Sequence, residues 1–112
     1  MKAHELLLDK TKWIQGWPAR DKDGKNVPPQ SAGAIKFCML GAIDHCYNHE
    51  AVAMKQKVTD HILANNLLTA DELGRMGHLS EASKRTVTIS TFNDKRTTTF
   101  EIASGLLKQL DV

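Results

Sequence analysis

Four side chains fall along this sequence in the order in which a cysteine hydrolase uses them. Gln15 would donate to an oxyanion, Cys38 would be the nucleophile, His78 the base, and Asn93 or Asp94 the group that orients the base. Such a thiolate needs a helix N-terminus or a nearby cation. The stretch Ala34–Ile43, apolar except for Lys36, predicts instead a central helix from Ala32 to Tyr47 with Ser31 as its N-cap. That helix puts Cys38 roughly two turns from its start, wrapped by other elements, where burial raises a thiol pKa. Cys38 is therefore expected as a small buried hydrophobe, with nucleophilic catalysis as the alternative.

Other constellations suggest binding. Trp13, Trp17 and Phe92 can form apolar or stacking walls, with Gln15, Arg20, Asn93 and Asp94 as the few polar groups that fix a ligand's orientation. Taken singly, Trp13 and Phe92 are equally suited to packing on the central helix, and Asn93 and Asp94 to capping or turning the backbone. His45, Cys46 and His49 cluster at a helix end, with His61 and His78 as further imidazoles. No C-x-x-C pair or H-E-x-x-H motif accompanies them, and histidines near a helix C-terminus are favourable as solvated cations. No metal or cofactor is expected. Lys84-Arg85 and Lys95-Arg96, with Lys22 and Lys25, could line a phosphate-binding surface, but no nucleic-acid reader motif is evident.

These groups must be positioned by the surrounding elements. Ala3, Leu6, Leu7, Lys10 and Ile14 share a helical face, which predicts a first helix over residues 2–12. Gly16, Pro18 and the Asp23-Gly24 pair predict an extended flap or β-hairpin over 13–27. After the central helix, Ala51, Met54, Val58 and Ile62 give a helix over 50–66. Thr69–Glu72 forms a capping box for a short helix. Residues 86–92 alternate polar and apolar side chains and are rich in β-branched types, which predicts a strand. Asn93–Arg96 turns the chain, and Thr98–Glu101 is a second capping box, opening a helix over 98–111.

A chain of 112 residues that is 41% apolar and 25% charged has the size and composition of one globular domain. Its net charge of +2 is too small to demand a nucleic-acid or anionic-membrane partner. The N-terminal stretch carries acids where a signal peptide or spanning helix would be apolar, so a cytoplasmic protein is expected. Cys38 and Cys46, eight positions apart on one helix, would be roughly 12 Å apart, so they are expected as free thiols of a reducing compartment.

Three stretches read together carry a resemblance: Trp13-Ile14-Gln15-Gly16, Cys38-Met39-Leu40-Gly41-Ala42, and Phe92-Asn93-Asp94. The chain resembles a small-domain family of unknown function, seen widely in bacteria and their phages. Its pattern is tryptophan, glutamine-glycine, then cysteine-x-leucine-glycine-alanine, then tryptophan-asparagine-aspartate. Phe92 stands where that family usually has tryptophan, and residues 69–84 are longer than usual. The resemblance implies a prokaryotic or phage origin and a shared scaffold, and it supplies no mechanism.

The expected protein is mainly α, a single-domain helical bundle over residues 1–112 around a buried central helix, with a short β-hairpin or extended flap. Its expected role is a binding or interaction module, either a phage inhibitor of a host protein or a sequestering protein for a small nucleotide-like ligand. The alternative is a cysteine-dependent hydrolase using Cys38 with His78 and Asn93 or Asp94. Expected partners are a host protein or small ligand in the cytoplasm, the host's if phage-encoded; nucleic acid is the lesser candidate, a membrane is not expected, and a homodimer is left open.

Overall fold

The apolar stretch at the centre of the chain divides into a strand and a helix. In the computed structural model, which describes all 112 residues, Lys36–Phe37 forms strand β2 and pairs antiparallel with β1, Ala19–Arg20, in the register Ala19 to Phe37. Helix α2 then runs over Met39–Cys46, with Cys38 as its N-cap. The expected helical turn over 32–38 is corrected by this pairing. Ile35 N–H donates to Arg20 O (2.9 Å) and Cys38 N–H to Pro18 O (3.1 Å), so these donors serve the flap. A short apolar run does not itself distinguish a buried strand from a buried helix. The flap pairs with residues 36–37, and its own reversal is closed around the Arg20–Asn26 bridge by Asp21 N–H to Lys25 O (3.0 Å) and Val27 N–H to Ala19 O (3.1 Å).

The other elements follow in order. Helix α1 is only Ala3–Leu6, with Glu5 returning to the Lys2 N–H (2.8 Å). The predicted helix over 2–12 breaks because Asp9 accepts from the Thr11 N–H (2.9 Å), which starts a separate 3-10 turn at Lys10–Lys12. Helix α3, Ala51–Ala64, matches its expected range closely. Helix α4, Ala70–Gly74, has both bonds of the Thr69–Glu72 capping box, at 2.8 and 3.2 Å.

The predicted strand over 86–92 is helical. Helix α5 spans Glu81–Asp94, and Ser80 caps it by accepting from the Ser83 N–H (3.2 Å). Thr88, Ile89, Phe92 and Asn93 are its buried residues, at helical spacing on the side packed against α2 and α3. The alternation of threonines and aliphatics imitated a strand, and packing overrode that propensity. Asn93 and Asp94 therefore belong to the last turn of a helix. Helix α6, Phe100–Gln109, is capped by Thr99, whose hydroxyl accepts from the Ile102 N–H (3.3 Å). The expected capping box one residue earlier does not form. Thr98 instead donates its hydroxyl to Phe92 O (2.7 Å).

The protein is mainly α with one short antiparallel strand pair. As expected, α2 is the central element: Met39 through Ile43 are all buried, and it packs against α1, α3, α5 and α6. Twenty-two buried apolar residues form one continuous core. No helix is long and apolar enough to cross a membrane.

Gly41 is where the flap lies on α2. A Cβ there would overlap the Pro18 carbonyl oxygen and sit 2.7 Å from its carbonyl carbon. Backbone cannot swing aside as a flexible side chain can, so Gly41→Ala is predicted to destabilise the protein by about 3 kcal/mol or more. Urea denaturation checks this, and a loss under about 1 kcal/mol would show that the flap is not fixed on the helix.

Candidate functional site

The three stretches that share the family-like pattern meet at Asn93, which is fully buried near the end of α5. Its Oδ1 accepts from the Trp13 indole Nε1–H (2.9 Å) and from the Met39 N–H (3.0 Å), the first backbone donor of α2. Its Nδ2 donates to Ile14 O (3.1 Å) and Asp94 Oδ1 (3.0 Å). Both donors and both ordinary acceptor positions of the carboxamide are thereby used. Gln15 completes the joint from the flap side. Its Nε2 reaches Asn93 O (2.9 Å) and Lys95 O (3.0 Å), with a longer contact to Thr98 O (3.4 Å), and so satisfies carbonyls at the frayed end of α5.

Asp94 extends the joint toward the surface. Its Oδ1 also accepts from the Gly16 N–H (2.9 Å), and Gly16 adopts φ +89°, a conformation for which glycine is favoured. The flap then carries Trp17 and Pro18 over the start of α2. A cavity of about 240 Å³ remains between them, lined by Gly16, Trp17, Pro18, Cys38, Ser90 and Asp94. Ser90 and Asp94 are four apart and share one face of α5. The Ser90 hydroxyl and the second Asp94 oxygen have no protein partner.

Cys38 stands at the helix N-terminus that thiolate chemistry favours, which corrects its expected place two turns inside a helix. Its Sγ accepts from the Gly41 N–H (3.3 Å). Burial nevertheless pushes the thiol up to about 11, outweighing the Gly41 and Leu40 N–H groups that pull it down; the Asp94 and Asp44 carboxylates add to the rise. The thiol therefore keeps its proton at neutral pH.

Of the residues named for the hydrolase alternative, Cys38 and Asp94 line the same cavity. Asn93 lies beside Cys38's helix, but its carboxamide is fully engaged, and His78 is exposed in the connection between α4 and α5 with no hydrogen bond to either. Of the predicted ligand-binding residues, Trp17 and Asp94 line the cavity, whereas Trp13, Gln15 and Asn93 hold the structure that forms it. Arg20 donates from Nε to Asn26 Oδ1 (3.2 Å). Phe92 is buried and faces a different, larger depression of about 700 Å³ between the end of α3 and α6, bordered by His61, Ile102 and Gly105.

The histidines are dispersed. His45 Nδ1 is 2.6 Å from Pro29 O and its ring packs on Phe37 at 4.6 Å, whereas His49 lies beyond the end of α2. No three of the His, Cys, Asp and Glu side chains are grouped as metal ligands. Both cysteines are free. The basic pairs no longer flank a strand: Arg85 donates to Gln56 (3.0 Å), and Lys95 reaches Leu67 O and Glu72, each at 3.1 Å. Ser90 was missed as a cavity residue because its relation to Asp94 exists only when 81–94 is a helix.

Fold and site together define a small, mainly α domain in which a flap is bolted across a helix N-terminus by one buried carboxamide. The chain belongs to DUF6197, a family of unknown function, whose model matches residues 1–110. No curated protein and no solved structure matches it.

Two predictions follow from this geometry. Asn93→Ala leaves the Trp13 and Met39 donors without their acceptor and is predicted to destabilise the protein by about 3 kcal/mol, measured by urea denaturation. The Cys38 pKa is raised from 9.0, so between pH 9 and about 11 the unfolded chain has released a proton that the folded state retains. Stability from this group is full below pH 9 and falls as pH rises toward 11. The wild type is therefore predicted to lose stability relative to Cys38→Ala across that window, and parallel curves would contradict the raised pKa.

Proposed function

We propose that this protein is a small-ligand binding module whose site is the cavity between Trp17, Cys38 and Asp94. The observation that carries this reading is that half-exposed Trp17 stands over a concave space in which Ser90 and Asp94 retain unused hydrogen-bonding capacity. Small-molecule sites combine an apolar wall with a few convergent polar groups in this way. Bonds made within the fold hold the Asp94 carboxylate and the backbone on either side of Trp17 in place, which preorganises that part of the site. Such a module would act by sequestering its ligand, and two free cysteines suit a reducing cytoplasm.

A cysteine-dependent hydrolase is the second reading, favoured by one feature, the N-cap position of Cys38. Its protonated thiol and the absence of a hydrogen-bonded base weigh toward binding.

The test is an NMR screen of fragments of mixed charge against the wild type and Ser90→Phe, which fills the cavity. Hits are predicted to shift the Trp17 indole resonance and to weaken at least tenfold in the filled variant. A screen with no hit at those resonances, or hits indifferent to Ser90→Phe, would overturn the assignment of the cavity as the site.

A further inference from the structure

We propose that the ligand presents a compact organic cation, a guanidinium or a primary ammonium, seated between the Asp94 carboxylate and the Trp17 indole. This rests on the cavity being the binding site, and it names the chemistry that the cavity selects.

Most backbone donors that would hold an anion are already spent, the remaining Leu40 N–H is directed at the Cys38 thiol, and no lining side chain is a cation. A helix N-terminus attracts anions through its free N–H groups, but at α2 the Met39 N–H is taken by Asn93 and the Gly41 N–H by the Cys38 thiol. The Cys38 N–H goes to Pro18 O, and the Gly16 N–H in the flap goes to Asp94. No Lys, Arg or His is among the six lining residues. Arg20, the basic residue of β1, directs its Nε to Asn26, and its Nη2 lies 4.0 Å from where a Gly16 Cβ would sit without joining the lining.

Acceptors, by contrast, remain. Asp94 is the only carboxylate in the lining, and the N–H groups of Gly16 and Asn93 occupy just one of its two oxygens. Asp44, the other acid acting on the thiol, is paired with Lys55 at 2.8 Å. The Ser90 hydroxyl, one turn before Asp94, can accept a second N–H from the same cation. The neutral thiol adds a polarizable wall without a competing charge. Trp17 supplies an aromatic face, and indole is the strongest of the aromatic side chains in attracting cations. Of the nucleotide-like ligand expected from sequence, a phosphate would meet the Asp94 carboxylate with only the neutral donors of Ser90 and Trp17 and no cation to offset the repulsion, so an amine- or amidine-bearing portion is what fits.

The experiment titrates phenylguanidinium, phenylurea and benzoate into wild type and Asp94→Asn, following the Trp17 indole and Ser90 amide resonances by NMR. Phenylurea keeps the planar shape without the charge. In Asp94→Asn the side-chain oxygen can still accept from Gly16 and Asn93, so the joint is retained. Phenylguanidinium is predicted to bind the wild type at least tenfold tighter than phenylurea, and to lose about tenfold in Asp94→Asn. Benzoate is predicted to leave both resonances unmoved. Phenylurea or benzoate binding as tightly as phenylguanidinium would overturn the cation while leaving the cavity as the site. If none of the three moves the cavity resonances, the cation is overturned. Whether any fragment of the wider screen moves them then shows if the cavity assignment falls with it. The comparison among ligands on the wild type needs no variant, so it stands if Asp94→Asn folds poorly.

Discussion

The first turn of α2 is buried, and a buried helix N-terminus needs acceptors for N–H groups that have no partner within the helix. Upstream of it lies a strand whose Phe37 carbonyl accepts from the Ile14 N–H of the flap, so the acceptors come from elsewhere. Asn93 Oδ1 reaches the Met39 N–H from α5, and the Cys38 thiol takes the Gly41 N–H from within the turn. Because the same carboxamide also holds Trp13 and Ile14, one side chain fixes the flap, the central helix and α5 relative to each other. An aspartate there would bring a buried charge and lose the Nδ2 donor, and a leucine would leave two donors stranded.

Most of the residues that carry the family-like pattern are architectural. Trp13, Gln15 and Asn93 direct their polar groups at other parts of the fold, and Gly16 and Gly41 supply a left-handed turn and a backbone-to-backbone approach. What is left over is small and local: one carboxylate oxygen, one hydroxyl, a protonated thiol and an exposed indole. On the proposed reading, a site of that kind would discriminate a ligand by charge and shape. The larger depression beside α6 carries Lys95 and Glu101, charges of both signs, and so does not present a single charge to a ligand.

Much of the framework was legible in the sequence, because long amphipathic segments and capping residues act locally. The α3 periodicity and the Thr69–Glu72 box both form as read. The central helix is legible but its start is not, since the short apolar run before Cys38 fits an extended segment that buries Ala34 and Phe37 as well as it fits a helix. Thr86 to Phe92 carried a local preference for strand that Ile89 and Phe92 overrode by packing on neighbouring helices. That error hid the cavity: Ser90 and Asp94 face one way only on a helix. The convergence of Trp13, Gln15, Cys38, Asn93 and Asp94 was foreshadowed by their shared pattern. Which of them would be consumed as bolts depended on hydrogen bonds between residues far apart in sequence.

Those separations also bear on how the protein comes to be. Trp13 and Gln15 bind residues 78 to 83 positions further along the chain, and Asn93 reaches back 54 positions to Met39. Contacts of such length carry a large loop-closure entropy and form slowly compared with the turns of α3 or α6. During synthesis the flap must wait for α5 to emerge before it can be pinned across α2. Until then Trp17 and Pro18 have no Asp94 to close against, so the cavity belongs only to the finished molecule.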